Sequence, residues 1–274
     1  MGDFYGFSSK TIKSGLLELD YLETAGPRIV ALRFDGSENL FAEVPQLATT
    51  TPFGDFHYLG GHRLWHAPEA MPRTYIPDDA GCSCQSLPNG VVLTGQIEVM
   101  SGIQKMIEIL IDPAANSVKL THRLVNHNAW GVKLAPWAIT MFKHGGIVTL
   151  PFRDAGQPAN GLLPDRNVIL WPYAKINDSR LHLIDDCIEL TAEKGSPIKF
   201  GTFNPTGWMR YDIDGITFTK TFQVQTGAEL ADLGCNAECY CDEDFVELES
   251  LGATSILEPE EETTWLEQWE LRRK

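Results

Sequence analysis

Three short stretches of the chain hold the residue types that do chemistry. Gly60-Gly61-His62-Arg63-Leu64-Trp65-His66-Ala67-Pro68-Glu69 packs two imidazoles, a guanidinium, an indole and a carboxylate into ten positions. Laid out as a strand, it puts His62, Leu64 and His66 on one face and Arg63, Trp65 and Ala67 on the other, so the two imidazoles can share one polar pocket. The glycines ahead of them suit a close approach of ligand to backbone. A structural reading competes, with Arg63 and Glu69 as an ion pair and the histidines capping turns. The second stretch, Leu124-Val125-Asn126-His127-Asn128-Ala129-Trp130, sets His127 between two asparagines at a strand end. Polar company and access to water suit a proton-transfer group there, although read alone the segment is more simply a turn histidine.

The third stretch, Asp244-Phe245-Val246-Glu247-Leu248-Glu249-Ser250, places Glu247 and Glu249 on the same face of a strand. A sheet tolerates that only where the face is wet, where cations pair with the carboxylates, or where they line a cleft and one of them serves as a base. Arg63, Lys199, Arg210 and Lys220 are the cations available to balance them or to hold a substrate oxygen. Lys220 is conspicuous because it interrupts the apolar face formed by Ile216, Phe218, Phe222 and Val224.

The elements that must position these groups are strands. Turn signals recur at Pro88-Asn89-Gly90, Asp112-Pro113-Ala114-Ala115-Asn116, Gly145-Gly146 and Asp212-Ile213-Asp214-Gly215. Between turns the apolar period is two, as in Leu93, Gly95, Ile97 and Val99. Ile107, Ile109 and Ile111 before the Asp112 turn, and Val118, Leu120 and Leu124 after it, predict a long hairpin over 103–125 with one face in a core. Trp265 and Trp269 fit either a helix or a strand. About 18 strands without a repeat or linker argue for one all-β domain spanning 1–274, built as a large two-sheet antiparallel sandwich.

Composition narrows the function. The 274 residues are 43% hydrophobic, and 37 acidic against 22 basic residues give a net charge of −15, which makes nucleic acid or an anionic membrane a costly partner. No apolar run is long enough to span a bilayer and the first residues lack a leader pattern, so a soluble, cytoplasmic protein with reduced cysteines is expected. Of the six cysteines only Cys235 and Cys239 have a zinc-like spacing, without a second pair, so no metal is expected. Phosphate loops, dinucleotide fingerprints, nucleophile elbows and zinc-protease motifs are absent.

Taken in order, the three stretches resemble the galactose mutarotase-like superfamily, which includes aldose 1-epimerases and hexose-6-phosphate epimerases. The segment around His127 is similar to the family's Leu-Thr-Asn-His-Ser-Tyr-Phe, which carries its catalytic histidine. Phe245-Val246-Glu247-Leu248-Glu249, followed by Leu257-Glu258-Pro259-Glu260-Glu261 and Trp269-Glu270-Leu271, resembles its catalytic-glutamate strand, Pro-Gly-Glu turn and closing strand. Gly60-Gly61-His62-Arg63-Leu64-Trp65 resembles the Gly-Gly-Ile-Pro segment of the hexose-phosphate branch. Pro259-Glu260 departs from the family turn in lacking its glycine.

The resemblance implies a β-supersandwich with a sugar cleft on its concave face and mutarotation by acid-base catalysis without a cofactor. Glu247 or Glu249 would be the base and His127 the acid, with His62, Arg63, Trp65, His66, Lys199, Arg210 and Lys220 around the sugar. The net charge favours a neutral sugar over a phosphorylated one, bound by a monomer or homodimer. Two alternatives stay open: a carbohydrate-binding protein without turnover, and a glycosidase or uronate lyase using the same cleft.

Overall fold

The period-two alternation resolves into strands throughout. A computed structural model, which describes residues 2–154, 156 and 161–274, contains 22 strands in two antiparallel sheets and a single short 3-10 turn at Arg73–Tyr75. The 12-stranded sheet runs in the order β1 (Gly2–Phe4), β2 (Phe7–Ser14), β3 (Leu17–Leu22), β4 (Arg28–Phe34), β6 (Gly54–Ala67), β11 (Val132–Phe142), β20 (Val246–Leu251), β19 (Ala237–Cys241), β16 (Ile198–Thr202) and β13 (Ile169–Leu170), with β5 (Glu43–Thr51) paired to β6 and β21 (Ser255–Leu257) to β11. The 10-stranded sheet runs β14 (Leu181–Leu183), β15 (Cys187–Thr191), β12 (Ile147–Pro151), β17 (Trp208–Ile213), β18 (Ile216–Phe222), β22 (Glu262–Arg273), β10 (Ser117–Asn126), β9 (Ile103–Asp112), β8 (Gly90–Ile97) and β7 (Ser83–Leu87).

The hairpin expected over 103–125 is β9 and β10, in a register that sets Ile111 opposite Val118, Ile109 opposite Leu120 and Ile107 opposite His122. The C-terminal tryptophans lie on a strand: β22 turns Trp265, Glu267, Trp269 and Leu271 inward between β10 and β18. One alternation ends sooner than its pattern suggests. The pairing of β8 with β9 slips after Thr94, and Ile97 and Val99, expected to continue a buried face, are 46% and 92% exposed where the chain turns at Glu98–Gly102.

One apolar cluster fills the space between the sheets and draws on both, including Leu64, Ala138 and Leu248 from one and Leu120, Phe218, Trp265 and Trp269 from the other. A smaller cluster, with Phe56, Trp65, Tyr75, Trp137 and Phe245, covers the opposite face of the central strands of the 12-stranded sheet. Those strands are therefore buried on both sides. No helix among the described residues is long and apolar enough to cross a membrane.

Candidate functional site

A chemically mixed hollow lies on the face of the 12-stranded sheet that points away from the other sheet. It is a cleft of about 350 Å³. Its position depends on a bend in β6. Leu59, Gly60 and Gly61 have φ of 60°, 99° and 69°, and at this point β6 leaves β5 and joins β11. A side chain at Gly60 would put its Cβ 1.9 Å from the Ala42 carbonyl oxygen, and one at Gly61 would lie 2.0 Å from that of Ile29. The glycines thus let neighbouring strands approach, where the sequence suggested room for a ligand.

Beyond the bend, alternation sends Arg63 and Trp65 into the cleft. Trp137 and Ile139 of β11, Glu247 of β20, Tyr240 of β19 and Lys199 of β16 reach it in the same way. Register aligns them in rows: Tyr240 lies between Glu247 and Lys199, while Glu249 lies between Ile139 and Glu238. Loops complete the walls with Glu69, Tyr75, Tyr173, Asp242, Asp244 and Phe245. The rings of Trp65 and Trp137 meet edge to face at 5.3 Å, and those of Trp65 and Tyr75 at 5.0 Å. Such aromatic walls suit the C–H faces of a sugar ring.

Two linked ion pairs form the floor. Arg63 donates to Glu247 at 2.9 Å and lies 4.3 Å over the Trp65 ring. Lys199 contacts both Glu249 and Glu238 at 2.9 Å and sits 4.6 Å from the rings of Trp137 and Trp171. Trp137 Nε1 donates to the same Glu249 oxygen at 2.6 Å, so Glu249 is held behind the floor while Glu247 lines the cleft. Burial pushes the Glu247 carboxyl up to about 7, opposed by Arg63 and reinforced by the charge of Glu249. Burial also drives Glu238 well above the usual carboxylate range, opposed by Lys199. Burial works against the Lys199 charge too, but Glu238 and Glu249 outweigh it and hold the ammonium well above its ordinary value. Among the described residues, Arg63 Nε, Glu249 Oε1 and Glu238 Oε1 of this floor are buried with no hydrogen-bond partner, and Glu238 Oε2 has only its ion pair with Lys199.

The remaining expected site residues do not line this cleft. His62 and His66 do share a face, but it is the inner one. His62 Nε2 lies 2.8 Å from His122 Nε2, and His66 Nε2 lies 3.4 Å from Glu98, itself paired with Lys105. Lys220, on β18 of the 10-stranded sheet, pairs with Glu267 of the adjacent β22 at 3.0 Å and reaches across the interior to the Leu248 carbonyl at 3.1 Å. Arg210 sits on β17 of that sheet, paired with Asp212 at 3.1 Å beside a separate surface hollow. His127, at the end of β10, contacts Glu260 at 3.1 Å and Gln104 at 3.2 Å and is not among the residues that line the cleft. Of the ten residues singled out, Arg63, Trp65, Lys199, Glu247 and Glu249 are brought together, and the histidines are not.

His62, His122 and Glu267 bring their ligand atoms within 4.8 Å of one another, close enough to enclose a metal ion. Their hydrogen bonds give a complete account without one. His122 Nδ1 faces the Trp265 carbonyl at 3.1 Å and must donate to it, so its Nε2 accepts from His62 Nε2, and His62 Nδ1 accepts from Thr140 at 2.9 Å. The Glu267 oxygens are taken by Lys220, by Ser250 at 2.5 Å and by Trp269 Nε1 at 3.1 Å. Burial pushes both imidazoles below their ordinary pKa, consistent with a neutral pair. This group ties the two sheets together.

Residues that sequence reasoning did not single out make up much of the cleft: Tyr58, Tyr75, Trp137, Tyr173, Tyr240 and Asp242. Tyr240 and Trp137 could be found only after strand pairing was known, because each joins the cleft through the neighbour that register gives it.

No protein-family model matches the sequence, and no curated protein aligns with it. Solved structures do match. A provisionally assigned aldose 1-epimerase from Klebsiella pneumoniae superposes with a TM-score of 0.64 at 12% identity, over 100% of this chain and 82% of that one. A provisionally assigned mutarotase from Salmonella typhimurium gives 0.61 at 13% identity, over 96% and 90%. A galactose mutarotase-like protein from Lactobacillus casei gives 0.59 at 11% identity, over 97% and 100%. The chain has the fold of the galactose mutarotase-like proteins.

Proposed function

We propose that the cleft binds a reducing sugar and that Glu247 catalyses the interconversion of its anomers. The observation that carries this reading is a buried carboxyl, pushed up to about 7, facing an aromatic-walled hollow of monosaccharide size. At neutral pH such a group can take and return a proton. As carboxylate it accepts the proton of the anomeric hydroxyl. The bond from the anomeric carbon to the ring oxygen breaks, its electron pair goes to that oxygen, and a donor facing the cleft supplies the proton there. The free aldehyde then rotates and the ring closes on its other face.

Arg63 orients Glu247 and keeps it ionisable, while Trp65, Trp137 and Tyr75 fix the plane of the ring. The ring-oxygen proton comes from the cleft itself in this reading. Tyr173, whose hydroxyl has no partner among the described residues, and the third N–H of Lys199 are the donors at hand. Glu249 is engaged by Trp137 and Lys199 and serves as their anchor, which favours Glu247 over Glu249 as the base.

Polarimetry of freshly dissolved α-glucose and α-galactose tests the proposal. The protein accelerates the approach to equilibrium and Glu247→Gln does not. Unchanged relaxation across a sugar panel, with sugar binding still measurable, would leave a binding cleft without turnover.

A further inference from the structure

A second hollow, of about 320 Å³, lies where the pairing of β8 with β9 slips, and it shares no lining residue with the cleft. Its walls are apolar: Phe53, Ile76, Pro77, Ile97, Val99 and Met100. The slip after Thr94 and the turn at Glu98–Gly102 carry Ile97, Val99 and Met100 out of the core, and they stand exposed, with Phe53, around this one depression. Apolar residues scattered singly over a surface need no explanation, but several gathered around one concavity mark a binding site.

A charged group sits in this apolar surround. β9 turns Ile103, Ile107, Ile109 and Ile111 inward, and Lys105 interrupts that face. The lysine is 6% exposed and lines the hollow. Its ammonium pairs with Glu98 and with no other acceptor among the described residues, which leaves two of its three N–H groups unused. Glu98 itself is fully engaged, by Lys105 at one oxygen and by Ser101 and His66 at the other. Burial works against the Glu98 charge, yet Lys105 and His66 outweigh it and hold the carboxyl at about 2, as a positive local potential requires. Arg73 acts on the same carboxylate and has no ion-pair partner of its own among the described residues. The other carboxylate of the hollow, Asp78, is taken up at both oxygens by Arg28, at 2.8 and 3.1 Å.

We propose that this hollow is a separate ligand site for a small carboxylic acid with an apolar body, its carboxylate on Lys105 and its aliphatic or aromatic part against Phe53, Ile97, Val99 and Met100. The two carboxylate oxygens supply the acceptors that the buried ammonium lacks, in charge-assisted hydrogen bonds. An apolar molecule without an acceptor leaves Lys105 short, and a polar one without an apolar body leaves the walls wet. The net charge of −15 opposes an anion at long range, but that field is screened beyond about 10 Å in ordinary salt, whereas pairing at a nearly buried ammonium is screened much less.

Octanoate and 3-phenylpropionate are compared with their uncharged amides and with propionate, which lacks the apolar body. Binding is read from the Met100 methyl signal in protein labelled with ¹³C-methyl methionine, assigned with Met100→Leu. The two acids shift that signal saturably, the amides bind about tenfold more weakly, and propionate binds most weakly. Val99→Glu sets a like charge at the exposed mouth and lowers acid affinity about tenfold with the thermal unfolding transition retained, so the test does not depend on how well Lys105→Gln folds. Lys105→Gln, where folded, removes the preference for acid over amide. Amides binding as tightly as acids, acid binding that leaves the Met100 signal unmoved, undiminished binding in Val99→Glu, or no binding of either acid overturns the inference.

Discussion

Two charged clusters lie back to back across the central strands of the 12-stranded sheet, built from alternate residues of the same chain segments. Arg63 and Glu247 face outward, while their neighbours His62 and Leu248 face inward. Each cluster contains a buried lysine held by glutamate, Lys199 outside and Lys220 inside. They differ in completeness. Every side-chain nitrogen and oxygen of His62, His122, Lys220 and Glu267 is bonded or ion-paired, whereas Arg63 Nε and Glu249 Oε1 have no hydrogen-bond partner among the described residues, and the outer cluster opens on the cleft. Buried polar groups that satisfy one another hold a fold together. A polar cluster that opens on an aromatic-walled hollow is one a ligand can meet.

That contrast predicts opposite phenotypes for the two sides. Glu247→Gln should lower anomer exchange by about 10²–10⁴-fold, the range for a general base, with the thermal unfolding transition retained. Lys220→Met should lower stability by about 3–5 kcal/mol, because it leaves Glu267 buried without its cation. Denaturant unfolding measures this, and a loss below about 1 kcal/mol would remove Lys220 and Glu267 from the structural side of the comparison.

The pH dependences also separate the clusters. As base, Glu247 works ionised, so exchange should rise with pH through about 7. Arg63→Gln should move that midpoint up by about 1–3 units, and Glu249→Gln should move it down, since Glu249 raises the Glu247 value. For the inner pair the sign is different. Folded His62 and His122 sit below the unfolded value of about 6.5, so their stabilising contribution is present above that pH and is lost as pH falls through it. Each pH unit below about 6.5 removes about 1.4 kcal/mol for each histidine that stays neutral, and His122→Gln should flatten the loss. Chemical denaturation at pH 7 and pH 5 measures it. Glu247 acts in the opposite direction, its raised pKa making the fold less stable as pH rises toward 7, so the histidine effect is read most clearly in a Glu247→Gln background.

Much of the architecture was legible in the sequence because period-two alternation encodes strands directly. The β9–β10 hairpin follows from Ile107, Ile109 and Ile111 against Val118, Leu120 and Leu124. What alternation cannot say is which side of a doubly buried strand faces the core. On β6 both faces are buried, so the set with His62 and His66 and the set with Arg63 and Trp65 look equally suited to a site. The adjacent Glu247 and Glu249 were legible as an anomaly, and cations resolve it: Arg63 and Lys199 arrive from strands more than forty residues away in sequence. His127 illustrates the limit of a local motif. Its polar neighbours do give it a solvated strand end, but β10 pairs with β9 and β22 in the other sheet, a consequence of pairing that no short segment contains.

The central claim is that the outer cluster, through Glu247, acts on the sugar while the imidazole of His127 stands apart from the chemistry. Anomer exchange measured by NMR on Glu247→Gln and His127→Ala side by side tests it. The account predicts loss of exchange in the first and exchange close to that of the unaltered protein in the second. Exchange lost in His127→Ala and kept in Glu247→Gln would contradict it.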